Sequence, residues 1–325
     1  QVYNTTTRFL GDYAGGLPAG YHLVIWSSNT HSAVQLTIPG GVYTNDGRIE
    51  LRHKGDGWRG YPRLHWQGSG TLAGTGEVWM SGAGDWNLLT GETGAELTIG
   101  PDQWVHGRGE IQLAVLNQGR LEASVNGKEL RVAQAVDNQG TLWASNGGIL
   151  KIQGLLTNTG TVGTQADPGA GSCSFVGGVL NTGTIALGSG TGNWTMTGTV
   201  DLGLDVSAGP GQTVHLTDVT MANAGRAIVA DGGVVVLENS TVNGGVLRVN
   251  DKAGSLVRFS GEITLNAVPW EDPGAGEFQV YNTTTRFLGD YAGGLPAGYH
   301  LVIWSSNTHS AVQLTIPGGV YTNDG

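Results

Sequence analysis

The densest run of chemically capable side chains lies between Arg52 and Trp66, reading Arg-His-Lys-Gly-Asp-Gly-Trp-Arg-Gly-Tyr-Pro-Arg-Leu-His-Trp. It combines cationic groups with large aromatic faces. Trp58, Tyr61 and Trp66 can stack on sugar rings while Arg59 and Arg63 meet acidic groups. Packing against neighbouring segments is the competing use of the same residues. Trp79, Trp86 and Trp104 follow at short spacing and are expected to cover the same flank.

Other chemistry is thinly represented. Asp201, Asp205 and Asp218 form the nearest carboxylate cluster, as a glycosidase or lyase would need. Asp201 and Asp205 flank Gly203, which fits turn capping better. The histidines lack metal-ligand spacing, and Gly82–Leu88 holds only a lone echo of a calcium-binding turn. No Gly-x-Ser-x-Gly elbow and no phosphate-binding loop occur. Cys173 is the only cysteine, which excludes an internal disulfide and suggests a small core residue. The expectation is therefore a non-enzymatic chain with no catalytic residue, metal or cofactor.

The elements that would carry these side chains are all-β. Glycine supplies 57 of 325 residues without a collagen period, and charged residues only 13%. Short β-branched runs alternate with Gly, Asn, Asp, Ser and Thr, and no glycine-free amphipathic helix stripe is present. Ala33–Ile38 alternates Val34, Leu36 and Ile38 with Gln35 and Thr37, the pattern of a half-buried strand. A net charge of −10 argues against nucleic acid and anionic lipid as partners. The longest apolar runs are far short of a membrane span.

An Asn-x-Gly-x-aliphatic pattern then recurs. It pairs Asn45 with Gly47, Asn117 with Gly119, Asn138 with Gly140, Asn158 with Gly160, Asn181 with Gly183 and Asn243 with Gly245. Degenerate copies at Gly70, Gly94, Gly203 and Gly225 fill the gaps, giving a spacing of 20 to 25 residues. This is the length of one coil of a parallel β-solenoid (β-helix). A parallel strand cannot return by a hairpin, so the chain winds round and lays each strand on the last. The pattern predicts turn glycines at φ > 0. It also predicts a stacked asparagine column and an inward column of Ile49, Leu72, Leu121, Leu142, Val162, Ile185 and Leu247.

Residues 279–325 repeat residues 1–47 letter for letter, an offset of 278. The chain thus reads as one full unit, 1–278, and the start of an identical one, 279–325. Dividing 278 by the spacing predicts 13 coils of about 21 residues. The rhythm weakens at 268–278, Val-Pro-Trp-Glu-Asp-Pro-Gly-Ala-Gly-Glu-Phe, which is either a loop excursion or a junction between modules.

The Asn-x-Gly-x-aliphatic coils, clearest over 115–186, resemble the right-handed parallel β-helices of filamentous-haemagglutinin-like adhesins and autotransporter passengers. The resemblance implies an exported bacterial surface or filament protein, outside the cell, whose partners are copies of itself and cell-surface glycans. Three functions follow as expectations. The first is a structural repeat of a fibre or stalk. The second is an adhesin using the 52–66 segment. The third is a polysaccharide-active β-helix enzyme.

Overall fold

The computed structural model describes residues 2–3, 6–8, 16–27, 34–54, 60–84, 86–164, 170–186, 192–271, 276–288, 301–304 and 313–315. These residues are all-β and wind into a parallel β-solenoid of about 11 turns. The chain divides into two compact units. One is Gln1–Ser174 with Gly183–Ala186, and the other is Phe175–Thr182 with Leu187–Gly325.

In the first unit a regular coil has three short strands. Arg120–Ala123, Glu129–Val132 and Val136–Asn138 lie on three successive faces before the chain returns to the first face at Thr141–Ala144. The first face is a parallel sheet of nine described strands, from Val2–Tyr3 to Thr184–Ala186. Each strand shows every other residue to the interior. The inward column here runs Ile49, Val78, Val105, Leu121, Leu142, Val162 and Ile185, in direct register. All seven are buried.

The expected column is therefore corrected at two points. Leu72 stacks between Tyr43 and Ile99 on the third face, and Leu247 lies in the second unit between Ile228 and Trp270. Val78 and Val105, which no Asn-x-Gly precedes, take the vacant places. The coils are also uneven. Arg48 and Glu77 are register partners 29 residues apart, whereas Asn138 and Asn158 are 20 apart. Even division into 13 coils fails for this reason. The longer coils carry Val34–Thr44 and Pro62–Ala73, single strands that serve both the second and third faces. Each bends at a register shift where Pro39–Gly41 meets Gln67–Gly70.

Gly70 is part of that bend and not of a coil turn. A Cβ on it would sit 2.3 Å from the Trp66 ring, so its glycine makes room for the indole. The true turn glycines owe their identity to crowding of another kind. Gly119, Gly140, Gly160 and Gly183 do not have positive φ, contrary to expectation. A Cβ on Gly140 would lie 2.2 Å from the Gly119 carbonyl oxygen, and on Gly160 2.2 Å from that of Gly140. Those carbonyls accept the amides of Thr141 and Thr161 at 2.8 Å. Axial hydrogen bonding draws each turn onto the one beneath, and only hydrogen fits between. Gly94, Gly203, Gly225 and Gly245 do adopt positive φ, between 68° and 80°.

The asparagine column forms in part. Asn117 Nδ2 donates to Asn138 Oδ1 at 2.7 Å, and Asn138 Nδ2 to Asn158 Oδ1 at 2.6 Å. All three are fully buried. Each amide also donates to the main chain of the next coil, at Thr141, Thr161 and Thr184. The column is polar only from Asn117, because its earlier places hold Tyr43, Leu72 and Ile99. Asn117 Oδ1 consequently has no donor among the described residues. Asn45 is displaced from this column. It donates to Gln103 Oε1 at 3.1 Å, while Gln103 Nε2 donates to the Asn45 carbonyl at 2.6 Å. Gly47 aligns with Gly76, one residue before the Arg48–Glu77 pair.

In the second unit, Val206–Ala208, Ala227–Ala230, Val246–Val249 and Trp270–Glu271 form a four-stranded parallel sheet. A further face stacks Asn193–Asp201, Thr213–Ala222 and then Val234–Glu238. Leu256–Asn266 and Glu277–Leu288 continue it. Asn181 donates to the Leu202 carbonyl, and Asn243 Oδ1 accepts from Asn266 Nδ2 at 2.8 Å.

Stacking continues past 268–271 into the second copy of the repeat. Trp270 is buried and packs on Phe259 and Phe278, with ring centroids 5.1 and 4.5 Å apart. Residues 272–275 lie outside the described residues, and the chain resumes at Gly276 in the same stack.

Replacing Gly140 with Ala is expected to cost about 3 kcal/mol, the upper end of overpacking, because the obstacle is a hydrogen-bonded carbonyl. Gln139→Ala, on the exposed side of the same turn, should change stability by less than about 0.5 kcal/mol. Urea unfolding of the two variants makes the comparison, and equal midpoints would contradict the crowding argument.

Candidate functional site

Outward positions on the first face of unit one alternate with the inward aliphatics. They form two neighbouring columns. One runs His22, Arg48, Glu77, Trp104, Arg120, and the other Val24, Glu50, Trp79, His106, Glu122, Trp143. Charged and aromatic groups interleave, so opposite charges meet across coils and rings stack along the axis.

The columns satisfy themselves. Glu50 accepts from Arg52 Nε and Nη2 at 2.7 Å each, from His22 Nε2 at 2.8 Å and from the Ser81 hydroxyl at 2.5 Å. Glu77 accepts from Arg48 and, at 2.9 Å, from His106 Nε2. Glu122 accepts from Trp104 Nε1 at 2.9 Å, Arg120 at 2.8 Å and Ser145. Trp104 is stacked on His106 at 3.8 Å and carries the Arg120 guanidinium 5.0 Å from its ring centroid. Trp79 lies between His106 and Arg48. With their faces already occupied, these indoles act as braces between coils and leave little aromatic surface for a ligand.

The proton equilibria follow from this packing. Burial pushes the Glu50 carboxyl up, yet the hydrogen bonds from Arg52 and Ser81 and the charges of Arg52 and His22 outweigh it, leaving it below the ordinary glutamate range. Glu77 behaves likewise: burial raises it, and Arg48 and His106 bring it down further. Burial lowers the His106 imidazole despite the opposing pull of Glu77, and lowers His215 despite Glu238. Burial alone pushes the Cys173 thiol far up, as suits a core residue.

The second face carries a different site. Its outward positions Gln35, Arg63 and Leu88 are in register, as are Thr37, His65 and Thr90. All of these except Thr37, together with Tyr61, Trp86, Gly91 and Gln112, line a groove of about 350 Å³. Tyr61 precedes its strand and Trp86 precedes the next one, and their rings meet at 5.4 Å and 34°. His65 Nδ1 and the Thr90 hydroxyl are 3.0 Å apart. Arg63 Nε is buried and has no hydrogen-bond partner among the described residues. Trp86 remains 44% exposed.

The 52–66 segment is thus divided. Trp58 and Arg59 lie outside the described residues. Tyr61 and Arg63 reach the groove, but Trp66 is fully buried between Ile38 and Gly91 and its ring is out of a ligand's reach. Period-two alternation accounts for this: Leu64 and Trp66 point in, Arg63 and His65 out. The expected shared flank of tryptophans is corrected too, since Trp79 and Trp104 stand on the first face and Trp86 on the second. His65 lies within the 52–66 segment and Trp86 was expected on its flank, but Thr90 and Gln112 were not evident as site residues, because the lining comes from three separate coils. Only their alternation with Leu64, Leu89 and Ile111 marks them as outward.

The aspartate cluster resolves into turn chemistry. Asp205 Oδ1 accepts the Ala227 amide at 2.7 Å, and Asp201 Oδ1 accepts from Gly203 and Arg226. Among the described residues no group of three or more His, Cys, Asp or Glu could hold a metal ion. No helix among the described residues is long and apolar enough to cross a membrane. No protein-family model, curated protein or solved structure matches the chain.

Acid should destabilise the protein in two stages. The unfolded chain binds protons at His106 and His215 from about pH 6.5 downward while the folded form resists, so stability falls from there. The contribution of Glu50 and Glu77 is full above about pH 4.3 and is lost as pH drops through their lowered values. Thermal melts between pH 7.5 and 3 should show both declines, and His106→Gln should shrink the upper one. A constant midpoint from pH 7.5 to 5 would contradict the assignment.

Proposed function

We propose that this chain is a structural segment of an extracellular bacterial surface fibre or stalk, lengthened by adding identical units. The observation that carries the reading is the pairing of the second copy. Glu277–Leu288 contains its first residues and lies in parallel register on Leu256–Asn266, with Phe259 opposite Val280 and Ile263 opposite Phe287.

From there the second copy repeats the pairing of the first. Val280 faces Ile303 and Tyr281 faces Trp304, as Val2 faces Ile25 and Tyr3 faces Trp26. Thr285 faces Leu314 as Thr7 faces Leu36. A unit therefore ends on a surface that its own beginning fits. Each new coil brings its own axial hydrogen bonds and adds about 4.8 Å. Stability becomes a sum over neighbouring coils, and length a matter of copy number. The self-satisfied columns of the first face suit a bracing role.

Chains carrying one, two and three complete 278-residue units test this. Electron microscopy should show rods whose length grows by one constant increment per unit, without a bend at the joins. Units tumbling independently about a flexible joint would overturn the stalk reading.

A further inference from the structure

We propose that the groove on the second face binds an acidic sugar of a polysaccharide through its carboxylate. The argument starts from charge. The protein carries a net charge of −10, yet the described groove lining has no Asp or Glu and one formal cation, Arg63. Most cations described in this unit are already engaged: Arg48, Arg52, Arg120 and Arg131 each meet a glutamate. Among the described residues Arg63 has no such partner, and its Nε is buried and unpaired. A half-buried guanidinium left in this state is costly. A planar carboxylate matches its fork of donors.

The rest of the groove specifies what bears the carboxylate. Trp86 rests against Tyr61 and leaves 44% of its surface open beside Arg63, a platform for the C–H face of a pyranose. Gln35, His65, Thr90 and Gln112 surround it with groups that exchange hydrogen bonds with hydroxyls. Leu88, nearly buried, closes the floor. The volume is at the lower end of the roughly 300–1,000 Å³ of small-ligand sites. An aliphatic ligand would leave the guanidinium desolvated, and a bare inorganic anion would leave the aromatic platform unused. A carboxylated ring uses both. The first face has a groove of about 480 Å³ lined by Tyr21, Arg48 and Trp104. Asp46, Glu77 and Asp102 line it too, and Arg48 is already paired with Glu77, so it does not favour a carboxylate.

Tryptophan fluorescence titrations of the full chain provide the test. The probes are hexagalacturonate, a hyaluronan hexasaccharide and neutral maltohexaose. Saturable quenching by at least one acidic probe, and none by maltohexaose, is expected. Arg63→Ala should weaken that binding about tenfold or more, and Trp86→Ala about three- to tenfold. Arg63→Lys should fall between wild type and Arg63→Ala. Arg248→Ala removes the same charge from the other unit and should change nothing. Circular dichroism on each variant establishes that the fold is kept. Three results would overturn the proposal: no binding of either acidic probe, equal binding of the neutral one, or equal loss from Arg63→Ala and Arg248→Ala.

Discussion

Every coil depends on amides and carbonyls that bond along the axis to the coil next to them. A hairpin sheet can absorb an irregular turn at its end. A solenoid cannot, because each turn lies on another. The Gly119 carbonyl shows the consequence. It accepts the Thr141 amide and so occupies the space where a side chain on Gly140 would be. The same contact recurs from Gly140 to Gly160 and from Gly160 to Gly183. Glycine is required there by the neighbouring turn rather than by its own dihedral angles.

The same stacking decides how polar groups are tolerated. A buried asparagine is costly alone and acceptable in a column, where each amide donates to the next. Asn117, Asn138 and Asn158 achieve this, leaving one unpaired acceptor where the column turns apolar at Ile99. On the outer side of the first face, stacking pairs carboxylates with cations from adjacent coils and lays tryptophans on histidine. That surface is consumed by its own contacts. Arg63, on the second face, has Gln35 and Leu88 as register partners, which offer no charge.

Much of the fold was legible in the sequence. The Asn-x-Gly-x-aliphatic rhythm identified the parallel solenoid, and over 117–183 it located the turns. It misled where glycine served another purpose. Gly70 is small for the Trp66 ring, and Val78 and Val105 hold core positions with no asparagine before them. Nearest-neighbour spacing could not reveal that Pro62–Ala73 runs as one long strand over two faces. The site was less legible. Tyr61 and Arg63 were marked by composition. Trp66 was misplaced, because clustering along the chain ignores the alternation that turns it inward. Trp86, Thr90 and Gln112 were invisible as a group, because adjacent positions in a solenoid are a coil apart in the chain.

The sequence by itself determined the class of architecture, which is written as a period, and the identity of residues 279–325 with residues 1–47. The tertiary structure alone decided which coils are long, which glycines are crowded and how the second copy is seated on Leu256–Asn266. It also decided that Arg63 is aligned with uncharged partners. Those outcomes depend on register between coils. Register is set by the sum of axial hydrogen bonds and inward packing around a whole turn, and no local stretch of residues contains that sum.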